Sequence, residues 1–170
     1  MTLTLLRHAA PPKEQQNRYH GWSNLSIDER LIDRHQIALL KAKKFDLIIS
    51  SDLQRSIQTV ETLQQPFETT KALREVAFKA EIEGKSFSEI EQLPSFKKQY
   101  LISEEHWHNY ICQESANDFR RRIKAFLATL PQNKTILLCT HAGTIKEILR
   151  IVGQQPITLG YLESIEVSLD

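Results

Sequence analysis

The chain has 170 residues, with 22 Lys plus Arg against 21 Asp plus Glu and a formal net charge of +1. That length suits a single domain over 1–170 with a substantial core, and the balanced charge excludes the broad basic footprint of a nucleic-acid-binding protein. No apolar run approaches a membrane span, and residues 1–10 lack the long apolar stretch of a signal peptide. Cys112 and Cys139 are far apart and form no CxxC, so a cytoplasmic protein with reduced thiols is expected, Cys139 being a small buried hydrophobe.

In chain order, residues 2–7 are short, apolar and threonine-containing, which predicts a buried strand. Pro11-Pro12 prevents a regular helix there and leaves 9–24 as a loop over the sheet end. Leu31, Ile32, His35, Leu39 and Leu40 recur at roughly helical spacing within 28–42. A second strand is predicted over 45–50. Ser51 is placed to cap a helix over about 52–65, where Leu53, Ile57, Val60 and Leu63 form one stripe and Pro66 ends it. Residues 67–73 suit a short strand leading into Leu73-Arg74-Glu75. Residues 76–113 show no clear period; a helix near 86–92 is the one regular element expected there, and the region reads as a small lid. In 115–130, Phe119, Ile123, Phe126, Leu127 and Leu130 share a helical face. A third strand is predicted over 134–140 and a helix over 143–152, with Ile145, Ile148, Leu149 and Val152 at i, i+3, i+4 and i+7. Alternation from Leu162 to Leu169 predicts a last strand. Strands alternating with helices give an α/β layered domain.

Polar groups recur at one end of these strands. Arg7-His8 ends the first, His141 ends the third, and Arg55 follows Ser50-Ser51 at the end of the second. Charged side chains are rarely buried without partners, and the carboxyl ends of parallel strands are where ligands bind. Together they suit a phosphate. A histidine nitrogen is a nucleophile near neutral pH. Forked arginine donors match phosphoryl oxygens. A second histidine, if protonated, adds positive charge. A leaving alkoxide needs a proton, for which Glu75 is the candidate, with Glu83 or Glu81 next. The scheme demands no metal and no cofactor. His106-Trp107-His108 lacks the further ligands of a metal site. Arg120-Arg121-Arg122 fans around a helix and reads as a solvated face. Neither GxxxxGK[ST] nor GxGxxG is present. Phe78, Lys79, Trp107 and Tyr110 either line a pocket or pack the core.

Leu6-Arg7-His8-Ala9 resembles the signature of the histidine phosphatase superfamily, the phosphoglycerate mutase-like fold. The resemblance continues in order along nearly the whole chain. It runs through Asn17-Arg18-Tyr19-His20-Gly21-Trp22, Ser50 to Thr59, Leu73-Arg74-Glu75, Glu83-Gly84-Lys85-Ser86-Phe87-Ser88-Glu89-Ile90, Glu114-Ser115 to Arg122, and Thr140-His141-Ala142-Gly143-Thr144-Ile145. Two departures stand out. Ala9 replaces the usual glycine, and Phe78 to Gly84 lacks a glycine and a tryptophan of the common stretch and is one residue longer.

The resemblance implies a three-layer α/β sandwich with a mostly parallel central sheet. It implies catalytic roles for His8 (as phosphohistidine), Glu75 and His141, and substrate binding by Arg7, Asn17 and Arg55. The expected activity is metal-independent hydrolysis of a small phosphorylated metabolite by a monomer or homodimer, with no nucleic acid or membrane partner. The proline-containing loop after His8 and the compact lid look most like small bacterial phosphatases of the alpha-ribazole phosphatase type. The alternatives are phosphoglycerate mutase-type transfer, a non-catalytic phosphate-ligand-binding protein, or a phosphohistidine-protein phosphatase. A lid this short favours hydrolysis, since a mutase must shield its bound intermediate from water.

Overall fold

The computed structural model describes residues 1–169; Asp170, the last residue of the expected domain, lies outside them. Five strands form one sheet: β1 (Thr2–Arg7), β2 (Leu47–Ser51), β3 (Glu68–Thr70), β4 (Thr135–Thr140) and β5 (Ser164–Ser168). The order is β3-β2-β4-β1-β5; β1, β2, β3 and β4 run parallel, and β5 is antiparallel to β1. The helices are α1 (Arg34–Ala42), α2 (Gln54–Glu61), α3 (Phe87–Ile90), α4 (Glu104–Ile111), α5 (Ala116–Leu127) and α6 (Ala142–Ile151). None of them is long and apolar enough to cross a membrane.

The central strands β1 and β4 are apolar throughout because both their faces are covered. Leu3, Leu5, Ile136 and Leu138 point to one side, against Phe119, Ile123 and Leu127 of α5 and Ile145, Ile148 and Leu149 of α6. Leu6, Leu137 and Cys139 point to the other, against Ile37 and Leu40 of α1 and Val60 and Leu63 of α2. Two helical layers with a sheet between them make the expected three-layer α/β sandwich. Burial pushes the Cys139 thiol up to about 12, which leaves it protonated.

Local chemistry sets the helix ends. The periodicity over 28–42 is not one helix, because the Asp33 carboxylate accepts the His35 and Gln36 N–H groups and starts α1 afresh after a 3-10 turn at Glu29–Leu31. Ser51 does not cap α2 directly. Its Oγ accepts the Leu53 N–H, and α2 begins one residue later. Ser115 caps α5, and Ser86 with Glu89 forms a capping box on α3. Residues 76–113 hold α4 as well as α3, so this region is more regular than the sequence predicts.

Candidate active site

β1, β2 and β4 end side by side, and the side chains that follow them form the floor of a cavity of about 150 Å³. His8, Arg7, Arg55, Glu75 and His141 all line it. His8 is 6% exposed. Its backbone N–H donates to the Thr140 carbonyl, which joins the β1 and β4 ends. Its Nδ1 lies 2.8 Å from the Ala9 carbonyl oxygen. A carbonyl only accepts, so Nδ1 carries the proton and Nε2 keeps its lone pair. Burial, reinforced by Arg55, holds the His8 pKa well below that of a free imidazole. The ring is therefore neutral near pH 7.

Arg55 is 2% exposed, projecting from the first turn of α2. Its Nη1 donates to the Ser23 carbonyl at 2.7 Å, its Nη2 to the Gly21 carbonyl at 2.8 Å, and its Nε to His141 Nδ1 at 3.2 Å. Burial pulls its pKa down to about 10, against the opposing pull of Glu75 and Glu83, and the guanidinium stays charged at neutral pH. Because Arg55 occupies Nδ1 of His141 as a donor, the His141 proton sits on Nε2 and is donated to Ser51 Oγ at 3.0 Å. His141 is itself lowered by burial and then by Arg55. The positive charge allowed for a second histidine is thus absent, and the arginines supply the cationic field. The two imidazoles lie 5.1 Å apart, tilted by 57°.

Arg7 donates from Nη1 to the Leu159 carbonyl at 2.6 Å, and its guanidinium lies 4.0 Å over the Tyr161 ring. Its Nε is buried with no partner among the described residues. Glu75 is 8% exposed. One carboxylate oxygen accepts the Val76 N–H at 3.0 Å, the other the Gly143 N–H at 2.8 Å in the first turn of α6. A methyl group on residue 143 would overlap this carboxylate, so only glycine lets Glu75 dock on the helix start. Helix N-termini favour negative charge, which suits the carboxylate left once a departing oxygen has taken the proton.

A second row of contacts holds the floor in place. Glu83 Oε1 accepts the Gly21 N–H, the Ser23 N–H and the Ser23 hydroxyl at 2.8, 3.1 and 2.5 Å. The same two residues offer their carbonyls to Arg55, so Glu83 staples the loop that aims the arginine. Neither Glu83 nor Glu81 lines the cavity as Glu75 does, and Glu81 is exposed and bonded by Ser95. Thr59 of α2 accepts the Ala9 N–H and donates to the Arg55 carbonyl. Arg122 forms a two-pronged pair with Glu114 and donates to the Ala72, Arg74 and Glu75 carbonyls. The solvated face expected for Arg120-Arg121-Arg122 is corrected here: Arg121 is exposed and paired with Asp118, but Arg122 faces inward and supports the segment after the Lys71–Leu73 turn that carries Glu75.

The structure brings together five of the six residues singled out in the sequence. Asn17 is the exception. It is exposed at φ 57°, and its neighbours Arg18, Tyr19 and His20 line the cavity instead. The left-handed turn at Asn17 directs the chain back toward the site, a use of asparagine that needs no ligand. Phe78 lines the cavity, whereas Trp107 meets the rings of Tyr19 and Phe87, Tyr110 meets Phe96 edge-on and stacks on Tyr100, and Lys79 binds the Asn109 carbonyl. Tyr161 is the main residue the sequence reading missed. It precedes β5, and since β5 runs antiparallel to β1, the residues before it fall at the His8 end. Direction along an edge strand has no periodic signature, so the signal was the residue's place before a strand of unknown sense.

An unprotonated imidazole nitrogen beside two arginines, with a carboxyl group lining the same cavity, is an arrangement that can exchange a phosphoryl group with an alcohol. Known proteins similar to this chain agree with that chemistry. Residues 3–166 match the family model for the histidine phosphatase superfamily, branch 1. The bovine (Bos taurus) 6-phosphofructo-2-kinase/fructose-2,6-bisphosphatase 3 is 27% identical over 144 residues, which is 82% of this chain. The chain spans only 30% of that curated relative's length. Among solved structures, the protein TTHB049 from Thermus thermophilus is 28% identical, covering 98% of this chain and 93% of that one at a TM-score of 0.75. A protein of Escherichia coli str. K-12 substr. MG1655, described as a "putative alpha-ribazole-5'-P phosphatase", is 25% identical, covering 92% of this chain and 81% of that one, also at 0.75. With the family model spanning nearly the whole length, this chain belongs to the histidine phosphatase superfamily.

Proposed function

We propose that the protein is a metal-independent phosphomonoesterase that works through a phosphohistidine on His8. The observation that carries this reading is the single tautomer of His8: its Nδ1 proton is held by the Ala9 carbonyl, and its Nε2 lone pair is left for phosphorus between Arg7 and Arg55. In the first step Nε2 forms a bond to phosphorus, the ester P–O bond breaks, and the Glu75 carboxyl gives its proton to the departing oxygen. In the second step Glu75 takes a proton from water as that oxygen bonds to phosphorus. The P–N bond breaks, and His8 recovers its lone pair. Arg7 and Arg55 neutralise the phosphoryl oxygens throughout, which is worth most in a buried setting.

Hydrolysis rather than mutase chemistry is supported by the lid. Residues 76–113 supply two short helices, α3 and α4, and one short 3-10 turn at Lys98–Leu101. The relatives named above include one whose printed name is a bisphosphatase and one described as a phosphatase. The deciding experiment is turnover of p-nitrophenyl phosphate with excess chelator, in wild type and in His8→Ala. Activity that survives the chelator and is lost in the variant is the expected outcome. Undiminished activity in His8→Ala removes the mechanism, and transfer between 3-phosphoglycerate and 2-phosphoglycerate without net phosphate release would favour the mutase reading.

A further inference from the structure

We infer that the alcohol half of the substrate carries no second anionic group: the site takes monophosphates of uncharged, flat-faced alcohols and rejects bisphosphates. This rests on the phosphomonoesterase reading and narrows it. It follows from how the positive charge around the cavity is already committed. Three cationic side chains line it, Arg7, Arg18 and Arg55, and no lysine does. Arg7 and Arg55 flank His8 and are spent on the reacting phosphoryl group. Arg55 has further given donors to Ser23, Gly21 and His141, which fixes it at the floor.

Arg18 is therefore the one candidate for a second anion, and it is already engaged. Its Nε donates to the Glu14 carbonyl, and its Nη1 donates to both the Gly84 carbonyl and the Glu89 carboxylate, the last at 2.7 Å. Three of the five guanidinium N–H groups are thereby used, and the charge is matched by Glu89. A second phosphate would meet only the two Nη2 N–H groups of a guanidinium whose charge Glu89 already matches. It would also lie in a cavity that contains Glu75. The remaining ring, His20, adds no charge: its Nε2 lies 2.9 Å from the Gln15 carbonyl, and burial lowers its pKa.

Carbon and aromatic surface make up much of the remaining lining. Tyr19, Phe78 and Tyr161 line the cavity with Pro11 and Leu25, and Tyr19 meets Phe78 edge-on at 5.5 Å. Such surfaces stack on flat groups and offer little to an anion. The cavity is also smaller than the roughly 300–1,000 Å³ of ordinary ligand pockets, at about 150 Å³. It holds the phosphoryl group, and the alcohol half meets the aromatic rim. The bisphosphatase in the name of the curated relative thus does not transfer to this chain as a substrate.

The test is a panel of 1-naphthyl phosphate, glycerol 3-phosphate, 2,3-bisphosphoglycerate and fructose 2,6-bisphosphate at fixed ionic strength. Turnover is measured with the wild-type chain, and binding by calorimetry with His8→Ala. The expected order places naphthyl phosphate first and both bisphosphates about 100-fold lower in kcat/KM, with the same order in binding. Glu89→Gln keeps an oxygen able to complete the capping box while removing the negative charge that matches Arg18. It should leave naphthyl phosphate turnover within about twofold and tighten bisphosphate binding about fivefold. Bisphosphates that bind or react as well as naphthyl phosphate in the unmodified site overturn the inference, as does a Glu89→Gln variant with unchanged bisphosphate binding. Absence of turnover for every ester would count against the phosphatase reading, while the calorimetric order would still decide this one.

Discussion

The floor of the site and its rim are built on opposite plans. The floor stands on strand ends and helix starts, and its polar groups are tied down: Arg55 to two carbonyls and a histidine, Glu75 to two backbone N–H groups, His141 to Arg55 and Ser51. The rim comes from loops and the lid, and its residues touch mainly one another's rings, as Tyr19 does with Phe78 and Trp107. A group that must meet developing charge gains from being fixed beforehand. A surface that merely accommodates a leaving group has no such demand. Substitutions in the floor should therefore alter kcat, and substitutions in the rim should alter KM.

The sharpest break is His8→Ala, expected to reduce kcat on any phosphomonoester by about 10³-fold or more while thermal unfolding stays cooperative. Next is Gly143→Ala. The added methyl displaces the Glu75 carboxylate, so turnover of alkyl phosphates should fall about 100-fold while p-nitrophenyl phosphate, whose leaving group needs little protonation, loses less than about tenfold. Equal losses on both substrates would separate Glu75 from leaving-group protonation. Arg122→Met removes a half-buried ion pair and the donors to three carbonyls, and denaturant titration should show a loss of about 2 kcal/mol.

A gentler test uses pH. His8 and His141 have folded pKa values pushed below their unfolded value of about 6.5 by burial and then Arg55. The unfolded chain then binds protons that the folded chain refuses, so stability falls as pH drops through 6.5 toward the folded values. The limiting slope is about 1.4 kcal/mol per pH unit for each ring. Urea titrations at pH 7.5, 6.5 and 5.5 should show a steeper loss in wild type than in a His8→Asn, His141→Asn double variant. Parallel profiles would mean that the buried rings are not the source. The smallest effect belongs to the rim: Phe78→Ala should raise KM about fivefold with kcat within twofold.

The same division explains what was legible in the sequence. Strands and flanking helices announce themselves through period and burial, and the residues that end them, Arg7, His8, Arg55 and His141, were found because polarity interrupts an apolar run. Glu75 was placed by its setting between Leu73 and Val76, both buried. Asn17 was placed by resemblance alone, and it lies exposed at a left-handed turn outside the cavity lining. Arg122 was misjudged because a run of three arginines does not say which one faces inward; Glu114 eight residues earlier was the partner to look for. Within 76–113, α4 escaped because its buried residues, Tyr110 and Ile111, are adjacent positions at its end and leave no stripe.

The position of β1 in the sheet has a consequence for how the chain assembles. Both neighbours of the first strand, β4 and β5, come from the last third of the chain. About 133 residues separate Thr2 from its partner Thr135. At ribosomal rates of about 5–20 residues per second, the strand carrying His8 waits roughly 7–27 s for its first neighbour to be made. Such distant pairing raises contact order and slows folding. The Leu162 N–H donates to the carbonyls of Arg7 and His8, so the final clamp on the histidine arrives later still. A nascent chain therefore holds a reactive imidazole with no arginine-lined pocket around it, and competence arrives in one late step rather than by degrees.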